Sequence, residues 1–319
     1  MKEYVVGIDI GGTNSVFGFV DNKGNCIHKD SIETQLFTNP VEFVATISEK
    51  IQKQLVNLPD TIIKGIGIGA PNGNFYNGTI EFAPNLKWKG IVNLTKMFIK
   101  HFHTDVLLTN DANAAAIGEM IYGNAKGMKD FILITLGTGV GSGIVVNGKM
   151  VYGHDGFAGE IGHVIVYPEG RMCGCGRKGC LEAYCSAKGI KKTYLNFVSG
   201  EGKTNEVPEA DITPHYIYEK AKLGDALALK TYEYTGNILG LALANSVAYT
   251  SPEAIFLFGG IANAGEMLFE PIRKSFEDNL LNIYKDKIKI LPSRLKENDA
   301  AILGAASLIW NKISNESEK

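Results

Sequence analysis

The alternation of apolar and polar segments begins at the start of the chain and predicts a β-hairpin there. Tyr4–Ile10 is an apolar run, a glycine-rich turn follows at Gly11–Asn14, and a second apolar run covers Val16–Val20. The polar segment Asp21–Gly24 ends that second run. Two short apolar runs separated by turns of this kind are typical of antiparallel strands.

The same pattern recurs in the middle of the chain. Phe131–Leu136 is a predicted strand, Gly137–Gly143 a glycine-rich turn and Ile144–Val146 a second strand, which ends before Asn147 and Gly148. Two related hairpins this far apart favour a duplicated domain over a solenoid, which would repeat at a shorter period.

Strands and helices alternate between and after the two hairpins. Asn39 and Pro40 have the residue types of a helix N-cap and first position, and an apolar face at helical spacing follows. That face consists of Phe43, Val44, Ile47, Ile51 and Leu55. Further strands are predicted at Ile62–Ile68, Val106–Leu108 and Ala254–Phe258, and further helices at Ala112–Ile121, Glu266–Phe276 and Ala300–Trp310. Such alternation predicts an α/β architecture with partly parallel sheets, and the polar segment 196–212 is expected to be an exposed excursion.

Length and composition favour a soluble globular protein of two domains. The chain has 319 residues, 45% of them hydrophobic and 21% charged, with a formal net charge of −2. This near-neutral charge argues against a nucleic-acid partner, because phosphate binding favours a basic patch. No cationic leader precedes an apolar segment, and the most apolar long segment, Ile238–Tyr249, is interrupted by Asn245 and Ser246. We therefore expect a cytoplasmic protein with no membrane span, in which Ile238–Tyr249 is a buried helix.

The first glycine turn has the chemistry of a phosphate-binding site. Gly11 and Gly12 let backbone N–H groups approach an anion, and Thr13 adds a hydroxyl donor. Asp9, at the end of the preceding strand, is a carboxylate that can hold a Mg²⁺-bound water. No lysine follows the glycines, so the turn does not match the G-x-x-x-x-G-K-[ST] pattern.

The second glycine turn offers the same groups, at Gly137, Thr138 and Gly139. Gly259 and Gly260 end a third strand. Each of these turns on its own is also compatible with a simple tight connection. Together they predict a nucleotide held between two domains.

Asn110 and Asp111 follow a predicted strand and open a predicted helix. An aspartate in this position is commonly only an N-cap. The alternative is a general base at the carboxyl end of a strand, where ligand clefts of α/β proteins form. There it would accept the proton of a hydroxyl that attacks a γ-phosphate.

Three cysteines and one histidine lie within a short stretch, at His163, Cys173, Cys175 and Cys180. Three thiols and an imidazole are a complete tetrahedral ligand set for Zn²⁺. Disulfides and buried free thiols are the alternatives, but disulfides require an oxidising compartment, and Cys173 and Cys175 are too close to pair easily. Cys26 and Cys185 lie outside the cluster and are interpreted as packing thiols.

Two carboxylates bracket the cysteine cluster, Glu160 and Glu182. Carboxylates accept hydrogen bonds from paired hydroxyls, which favours a polyol as the ligand over two solvated surface charges. His163 can bind the metal through one nitrogen and donate to a hydroxyl through the other. Asn85 is a turn residue by default.

These motifs in this order resemble the ROK family of repressors, open reading frames and sugar kinases. The specific matches are G-x-x-G-E-x-G-H at Gly156–His163 and C-G-C-G-x-x-G-C-L-E at Cys173–Glu182. D-I-G-G-T, at residues 9–13, is shared more widely. The resemblance implies an α/β, two-domain actin-like ATPase fold of the ribonuclease H-like kind, with a cleft between duplicated domains and a structural zinc loop. The implied smaller domain is residues 1–117 plus 299–319, and the larger is residues 118–298.

The resemblance also implies a role for each matching residue. Asp111 would be the catalytic base acting on the 6-hydroxyl of a sugar, and Zn²⁺ would be held by His163, Cys173, Cys175 and Cys180. The sugar hydroxyls would be bound by Asn85, Asn110, Asp111, Glu160, His163 and Glu182. ATP and Mg²⁺ would be bound by Asp9, Gly11, Gly12, Thr13, Gly137, Thr138, Gly139, Gly259 and Gly260, with the last two against the adenosine.

The function expected from these observations is ATP-dependent phosphorylation of a hexose, with glucose as the expected substrate and a homodimer or homotetramer as the expected assembly. Pro71-Asn72-Gly73 departs from the Pro-Gly of many family members near the expected sugar site, so a kinase for N-acetylmannosamine, N-acetylglucosamine, allose, mannose or fructose stays open. A sugar-sensing regulator is disfavoured, because the first strand starts at about Tyr4 and leaves no room for a helix-turn-helix domain. A non-catalytic assembly protein of the actin or chaperone type is also disfavoured, because the zinc loop would have no function in it.

Overall fold

The computed structural model describes residues 2–204, 207–295 and 297–317. The chain folds into two compact units, and each is described by itself. Unit 1 comprises residues 1–128, 150–158 and 294–319, and unit 2 comprises residues 129–149 and 159–293. The predicted domain boundaries at residues 117 and 298 stay a prediction, because grouping by contacts does not by itself define an independently folding domain.

The bounds of the regular elements are as follows. The strands are β1 (Lys2–Ile10), β2 (Ser15–Val20), β3 (Cys26–Ile32), β4 (Thr61–Ala70), β5 (Gly73–Asn74), β6 (Thr79–Glu81), β7 (Ile91–Val92), β8 (Val106–Asn110), β9 (Phe131–Leu136), β10 (Val140–Val146), β11 (Lys149–Met150), β12 (Ala254–Phe258) and β13 (Lys289–Pro292). The helices are α1 (Pro40–Val56), α2 (Leu94–Phe102), α3 (Asp111–Tyr122), α4 (Glu182–Cys185), α5 (Ala187–Gly200), α6 (Pro214–Lys222), α7 (Ala226–Thr250), α8 (Glu266–Asn279) and α9 (Glu297–Ser317).

Unit 1 is built on a five-stranded sheet in the order β3-β2-β1-β4-β8. The predicted hairpin is confirmed: β1 and β2 pair antiparallel, while β4 and β8 continue the sheet in parallel. Alternate residues of β1 face two separate cores, Ile8 towards α1 and α2, and Val5 towards α9. A methyl group at Gly67 would lie 1.8 Å from the carbonyl oxygen of Ala305, so α9 packs directly on the backbone of β4.

Unit 2 repeats this arrangement with a sheet in the order β11-β10-β9-β12-β13. β9 pairs antiparallel with β10 and parallel with β12, as β1 does with β2 and β4. Helices α5, α7 and α8 contribute to one buried core with β9 and β12. The second predicted hairpin is therefore confirmed, and it occupies the same place in its sheet as the first.

The predicted start of α1 is confirmed in detail, because the Asn39 side chain accepts a hydrogen bond from the N–H of Val41. Two other predictions need correction. The second glycine turn is shorter than predicted, since β10 already begins at Val140 and its N-terminal residues pair with β9. The segment 196–212 is not a simple exposed excursion: α5 runs to Gly200 and Ile212 is buried in the core, while residues 205 and 206 lie outside the described part.

The helix predicted at Ile238–Tyr249 is the second half of the longer helix α7. Most of its apolar side chains are buried, but Tyr249 at its end is 90% exposed. Within the described residues, none of the helices combines the length and apolar character needed to cross a membrane.

Candidate active site

The first predicted phosphate turn is a tight loop between β1 and β2. Its backbone closes on itself, because the N–H of Gly11 donates to the carbonyl of Asn14 at 3.1 Å. A methyl group at Gly12 would lie 2.8 Å from the backbone oxygen of Asn85, so only glycine fits between these segments. The structure thus brings the predicted sugar contact Asn85 against the turn, beside the exposed Thr13. Such an open backbone lets an anion approach closely.

Asp9, near the carboxyl end of β1, and Asp111, directly after β8, lie on either side of β4. A methyl group at Gly69 of β4 would lie 3.6 Å from Oδ1 of Asp9 and 3.7 Å from Cα of Asp111. Burial, and to a smaller extent the negative charge of Asp111, raises the pKa of Asp9 to about 7. Asp111 exposes part of its surface to solvent, yet the dense protein around it still penalises its charged form and raises its pKa. Two carboxyl groups that resist ionisation at one point are typical of a catalytic or metal-binding centre.

The N-cap of α3 is Asn110 and not Asp111. The Asn110 side chain accepts a hydrogen bond from the N–H of Ala112 at 2.8 Å, and Asp111 is the first residue of the helix. One oxygen of Asp111 also accepts from that N–H at 2.8 Å. Because the cap is supplied by Asn110, Asp111 is not needed to begin the helix and its second oxygen is available for a ligand.

The second predicted phosphate turn is held by Glu182. The N–H of Val140 donates to Oε2 of Glu182 at 3.0 Å, and a methyl group at Gly139 would lie 2.5 Å from the same oxygen. Within the turn, the N–H of Gly137 donates to the carbonyl of Gly139 at 3.0 Å, while Thr138 is exposed. A carboxylate predicted to bind sugar therefore also fixes the backbone predicted to bind phosphate.

The third turn, Gly259–Gly260, lies against the end of β9. Gly259 has a φ of 106°, and a methyl group there would lie 2.5 Å from the carbonyl oxygen of Leu136, so the fold itself requires glycine. A methyl group at Gly260 would meet no atom within 4 Å. Gly260 and Gly137 both line a cavity of about 350 Å³ in unit 2.

The predicted metal ligands converge. The ligand atoms of His163, Cys173, Cys175 and Cys180 all lie within 4.8 Å of one another. Nδ1 of His163 is 3.7 Å from Sγ of Cys173, and the sulfurs of Cys175 and Cys180 are 3.6 Å apart. Two thiolates on one tetrahedral Zn²⁺, each at about 2.3 Å, would be about 3.8 Å apart, so the donor set fits this ion. Burial opposes ionisation of Cys175, but hydrogen bonds from Arg177 and the neighbouring thiols outweigh it and lower the pKa of Cys175 to about 6.

Two of the side chains predicted to bind sugar, His163 and Glu182, lie at this cluster. His163 is half-buried and has its Nδ1 towards the sulfurs, which leaves Nε2 for another partner. Oε1 of Glu182 lies 3.6 Å from Sγ of Cys173, and Glu160 is exposed on the segment before His163. One carboxylate thus contacts both the metal-ligand loop and the phosphate turn.

The segment that carries Glu160 and His163 is fixed to β10. The Ser142 hydroxyl donates to the carbonyl of Gly159 and accepts from the N–H of Ile161. A methyl group at Gly162 would lie 2.0 Å from the carbonyl oxygen of Val140, which explains the glycine between Ile161 and His163. Nothing in the sequence pattern singled out Ser142, because its role depends on the neighbouring strand.

Arg171 is a further residue that the sequence reasoning missed. Its guanidinium donates to the carbonyls of Ala183 and Gly189 and to the Thr193 hydroxyl, at 3.4, 3.1 and 2.8 Å. It also lies over the Tyr184 ring, 4.6 Å from the centroid. These contacts brace the helix that begins with Glu182 against the cysteine loop, and a lone arginine carries no sequence signal for such a role.

The predicted site residues therefore form two groups, one in each unit. The group in unit 1 is Asp9, Gly11, Gly12, Thr13, Asn85, Asn110 and Asp111. The group in unit 2 is Gly137, Thr138, Gly139, Glu160, His163, Cys173, Cys175, Cys180, Glu182, Gly259 and Gly260.

Known proteins with similar sequences include both kinases and repressors. A glucokinase of Thermotoga maritima is 34% identical over 321 residues, which cover 98% of this chain and 99% of that protein. A xylose repressor of Caldicellulosiruptor bescii is 29% identical over 313 residues, which cover 96% of this chain and 77% of the repressor.

The fold is also similar to solved structures. The crystal structure of a glucokinase from Streptomyces griseus in complex with glucose and AMPPNP has a TM-score of 0.78 and 31% identity, and covers 96% of this chain and 98% of that one. The family model described as ROK family matches residues 5–312. With nearly the whole chain matched, this protein belongs to the ROK family, on an actin-like ATPase fold.

Proposed function

We propose that this protein is a hexokinase-type sugar kinase that transfers the γ-phosphoryl group of ATP to the 6-hydroxyl of a hexose, with glucose as the expected substrate. The observation that carries the proposal is the proximity of Asp9 and Asp111, which lie on either side of Gly69 of β4. A carboxylate with a raised pKa is a competent base, and a second carboxylate beside it is a suitable partner for a Mg²⁺-nucleotide.

Asp111 is the proposed catalytic base. Its free carboxylate oxygen accepts the proton of the 6-hydroxyl as that oxygen attacks the γ-phosphorus, and the bond from phosphorus to the β–γ bridging oxygen breaks. ADP leaves, and the sugar phosphate retains the transferred group. The raised pKa of Asp111 brings its basicity closer to the operating pH, where general-base catalysis is most effective.

The glycine turns are the proposed phosphate contacts. The backbone N–H groups of Gly12 and Thr13 in the first turn, and of Thr138 and Gly139 in the second, are the proposed donors to phosphate oxygens. Asp9 would hold Mg²⁺ through a water molecule, and when bound, that ion neutralises negative charge on the phosphates. Its pKa of about 7 means that Asp9 is only partly ionised at neutral pH until a cation is near.

The sugar contacts are proposed to come from Asn85, Asn110, Glu160, His163 and Glu182. His163 would bind Zn²⁺ through Nδ1 and present Nε2 to a hydroxyl, so the metal would fix the orientation of the ring. Zn²⁺ held by this residue and the three cysteines would be structural, because all four ligand positions come from the protein.

The comparisons support this proposal. The T. maritima relative is named a glucokinase, and the S. griseus structure is a glucokinase with glucose and an ATP analogue. A second candidate, a sugar-sensing regulator, is favoured by the similarity to xylose repressors. Sensing requires sugar binding without turnover, whereas the paired carboxylates serve phosphoryl transfer.

The proposal is tested by ADP release with Mg-ATP across glucose, mannose, fructose, allose, N-acetylglucosamine and N-acetylmannosamine. Asp111→Asn keeps the size of the side chain and removes the base, so kcat on the best sugar should fall by about 10²–10⁴-fold. The KM values should change little, and zinc content and far-UV circular dichroism should match the wild type.

Turnover of no sugar by folded, zinc-containing protein would overturn the proposal. Binding of a sugar in that case, measured by calorimetry, would favour the regulator. Full activity of Asp111→Asn would still support a sugar kinase but would exclude Asp111 as its catalytic base.

A further inference from the structure

The loop of residues 152–158 belongs to unit 1, although the chain on both sides of residues 150–158 belongs to unit 2. The loop is closed by its own backbone, because the N–H of Ala158 donates to the carbonyl of Tyr152 at 3.0 Å. Gly153 has a φ of 74°, a conformation that favours glycine. The loop therefore holds one defined shape, with Tyr152 at its start.

Two residues at the end of β5 hold this loop in unit 1. The buried side chain of Asn74 donates to the carbonyl of Asp155 at 2.8 Å. The ring of Phe75 stacks on the ring of Tyr152, with centroids 4.1 Å apart and planes inclined by only 3°. Because the stack fixes the plane of the Tyr152 ring, it also limits the direction in which the Tyr152 hydroxyl can point.

The Tyr152 hydroxyl reaches the end of β8, directly before the proposed base. It shares a hydrogen bond with the hydroxyl of Thr109, which is fully buried. The Thr109 hydroxyl also accepts from Nδ2 of Asn113 at 3.5 Å, and Asn113 lies in the first turn of α3. Thr109 is thus connected to the loop on one side and to the helix that begins with Asp111 on the other.

The surroundings of Thr109 leave little room for a replacement partner. A methyl group at Gly73 would lie 2.4 Å from the carbonyl oxygen of Thr109, so β5 packs directly on the end of β8. Burial raises the pKa of Tyr152, so its hydroxyl keeps its proton at neutral pH. If that hydroxyl were removed, a buried polar group would lose a partner that water cannot easily replace.

We propose that Tyr152 is a positioning residue for the catalytic base, because its hydroxyl, through Thr109, fixes the junction of β8 and α3 that carries Asn110 and Asp111. The inference rests on the proposed function, in which Asp111 is that base. Tyr152 acts through Thr109 and is assigned no contact with the reacting atoms. A base displaced by a fraction of an ångström slows the chemical step strongly, since a shift of about 1 Å can cost about 10²-fold.

The test is steady-state kinetics of Tyr152→Phe, which keeps the stacked ring and removes only the hydroxyl. Its kcat on the best sugar should fall by about 10-fold, with little change in either KM, because the lost alignment matters in the transition state. Thr109→Val should give the same loss, and Thr109→Ser, which keeps the hydroxyl, should retain most of the wild-type kcat. In an Asp111→Asn background, Tyr152→Phe should lower kcat no further, because the base on which it acts is already absent.

Tyr76→Phe is the matched control in the same aromatic cluster. The Tyr76 and Tyr152 ring centroids are 6.0 Å apart, and the Tyr76 hydroxyl donates to the carbonyl of Gly153 at 2.8 Å. Tyr76 is 57% exposed, so water can replace this bond. The kcat of Tyr76→Phe should therefore stay at the wild-type value.

Hydrogen exchange gives a second measurement that does not depend on activity. The N–H of Ala112 donates to the side chains of Asn110 and Asp111, each at 2.8 Å, so its exchange reports on the order of the junction. Mass spectrometry of a peptide that contains Ala112 should show exchange about 10-fold faster in Tyr152→Phe than in the wild type. Tyr76→Phe should exchange at the wild-type rate.

A wild-type kcat for Tyr152→Phe would overturn the proposal and leave the kinase unaffected. An equal loss in Tyr76→Phe, or a further loss in the Asp111→Asn background, would also overturn it. If the wild type phosphorylated no hexose, the proposed function would fail, and the exchange rates would decide the inference separately. Faster exchange at Ala112 in Tyr152→Phe alone would still support the connection from Tyr152 to the junction, and unchanged exchange would overturn it.

Discussion

The two hairpin turns share a topology but are held in different ways. In unit 1 the turn closes through its own backbone, with the N–H of Gly11 on the carbonyl of Asn14, and Gly12 is in contact with the backbone of Asn85. In unit 2 the turn also has an internal bond, from the N–H of Gly137 to the carbonyl of Gly139, but a side chain from another segment holds it as well. That side chain is Glu182, which also lies 3.6 Å from a cysteine sulfur.

This difference shows how duplicated elements diverge in chemistry. The first turn combines an internally fixed backbone with two carboxyls that resist ionisation, which suits the reaction centre. The second turn depends on Glu182, and Glu182 on the cysteine loop and on Arg171. Perturbation of the cysteine loop should therefore reach the second turn and leave the first unchanged.

Loss of the metal is expected to have the largest effect. A ligand at a thousand times its Kd stabilises the folded state by about 4 kcal/mol, so Cys180→Ser or chelation should lower Tm by about 10 °C. KM should rise for both the sugar and ATP, because Glu182 loses its support. Zinc content by atomic absorption, Tm and the two KM values measure this.

Cys185→Ser is the matched control, because Cys185 is buried in the same unit but outside the ligand cluster. It should retain zinc, and its ATP KM should stay at the wild-type value. A zinc-free protein with unchanged KM for ATP would contradict the link between the cysteine loop and the second turn.

Alanine substitutions in the two turns should distinguish a glycine that the fold requires from one that the fold does not require. Gly12→Ala places a methyl group 2.8 Å from the Asn85 oxygen, an overpacking that should cost about 1–3 kcal/mol of unfolding free energy. Gly137→Ala meets no atom within 4 Å and should change that free energy by less than about 0.5 kcal/mol. Urea unfolding of both variants checks this, and equal losses would show that the two turns are fixed alike.

The sequence predicted the parts of this picture that depend on local pattern. The strand Phe131–Leu136, the cap at Asn39 and the convergence of His163 with three cysteines could all be predicted, because periodicity, cap chemistry and ligand type are local properties. Arg171 could not, because its partners Ala183, Gly189 and Thr193 come from α4 and α5 and no spacing rule connects them to it. The N-cap of α3 is Asn110 and not Asp111. Both residues have side chains suited to an N-cap, and the sequence does not show at which of them the helical backbone begins.

Arg171→Lys tests whether Arg171 positions Glu182 through its contacts with α4 and α5. Lysine keeps the charge but loses the planar fork that bonds two carbonyls and the Thr193 hydroxyl. The unfolding free energy should fall by about 1 kcal/mol, and KM for the sugar should rise several-fold with kcat nearly unchanged, because Arg171 positions Glu182 and touches no substrate. Arg273→Lys, an exposed arginine on α8, should change neither; a fall in kcat alone for Arg171→Lys would contradict a positioning role.

The charge of Asp9 gives the most specific prediction. Its folded-state pKa of about 7 lies above the ordinary value of 3.8, so the folded protein keeps a proton that the unfolded chain has lost, and stability falls as the pH rises from about 4 to 7. Asp9→Asn is neutral throughout. Without Mg²⁺, its Tm should exceed that of the wild type at pH 8 and match it at pH 4.

Asp21, in the turn after β2, provides a control of the opposite sign. Burial opposes its ionisation, but hydrogen bonds from Asn25 and Lys23 outweigh this and lower the pKa of Asp21 below 3.8. Its contribution to stability is present at neutral pH and is lost as the pH falls below that value, so Asp21→Asn should lower Tm at pH 8. If Asp9→Asn also lowered Tm at pH 8, the Asp9 carboxylate would be stabilised in the folded protein. The carboxyl group beside the first turn would then not resist ionisation.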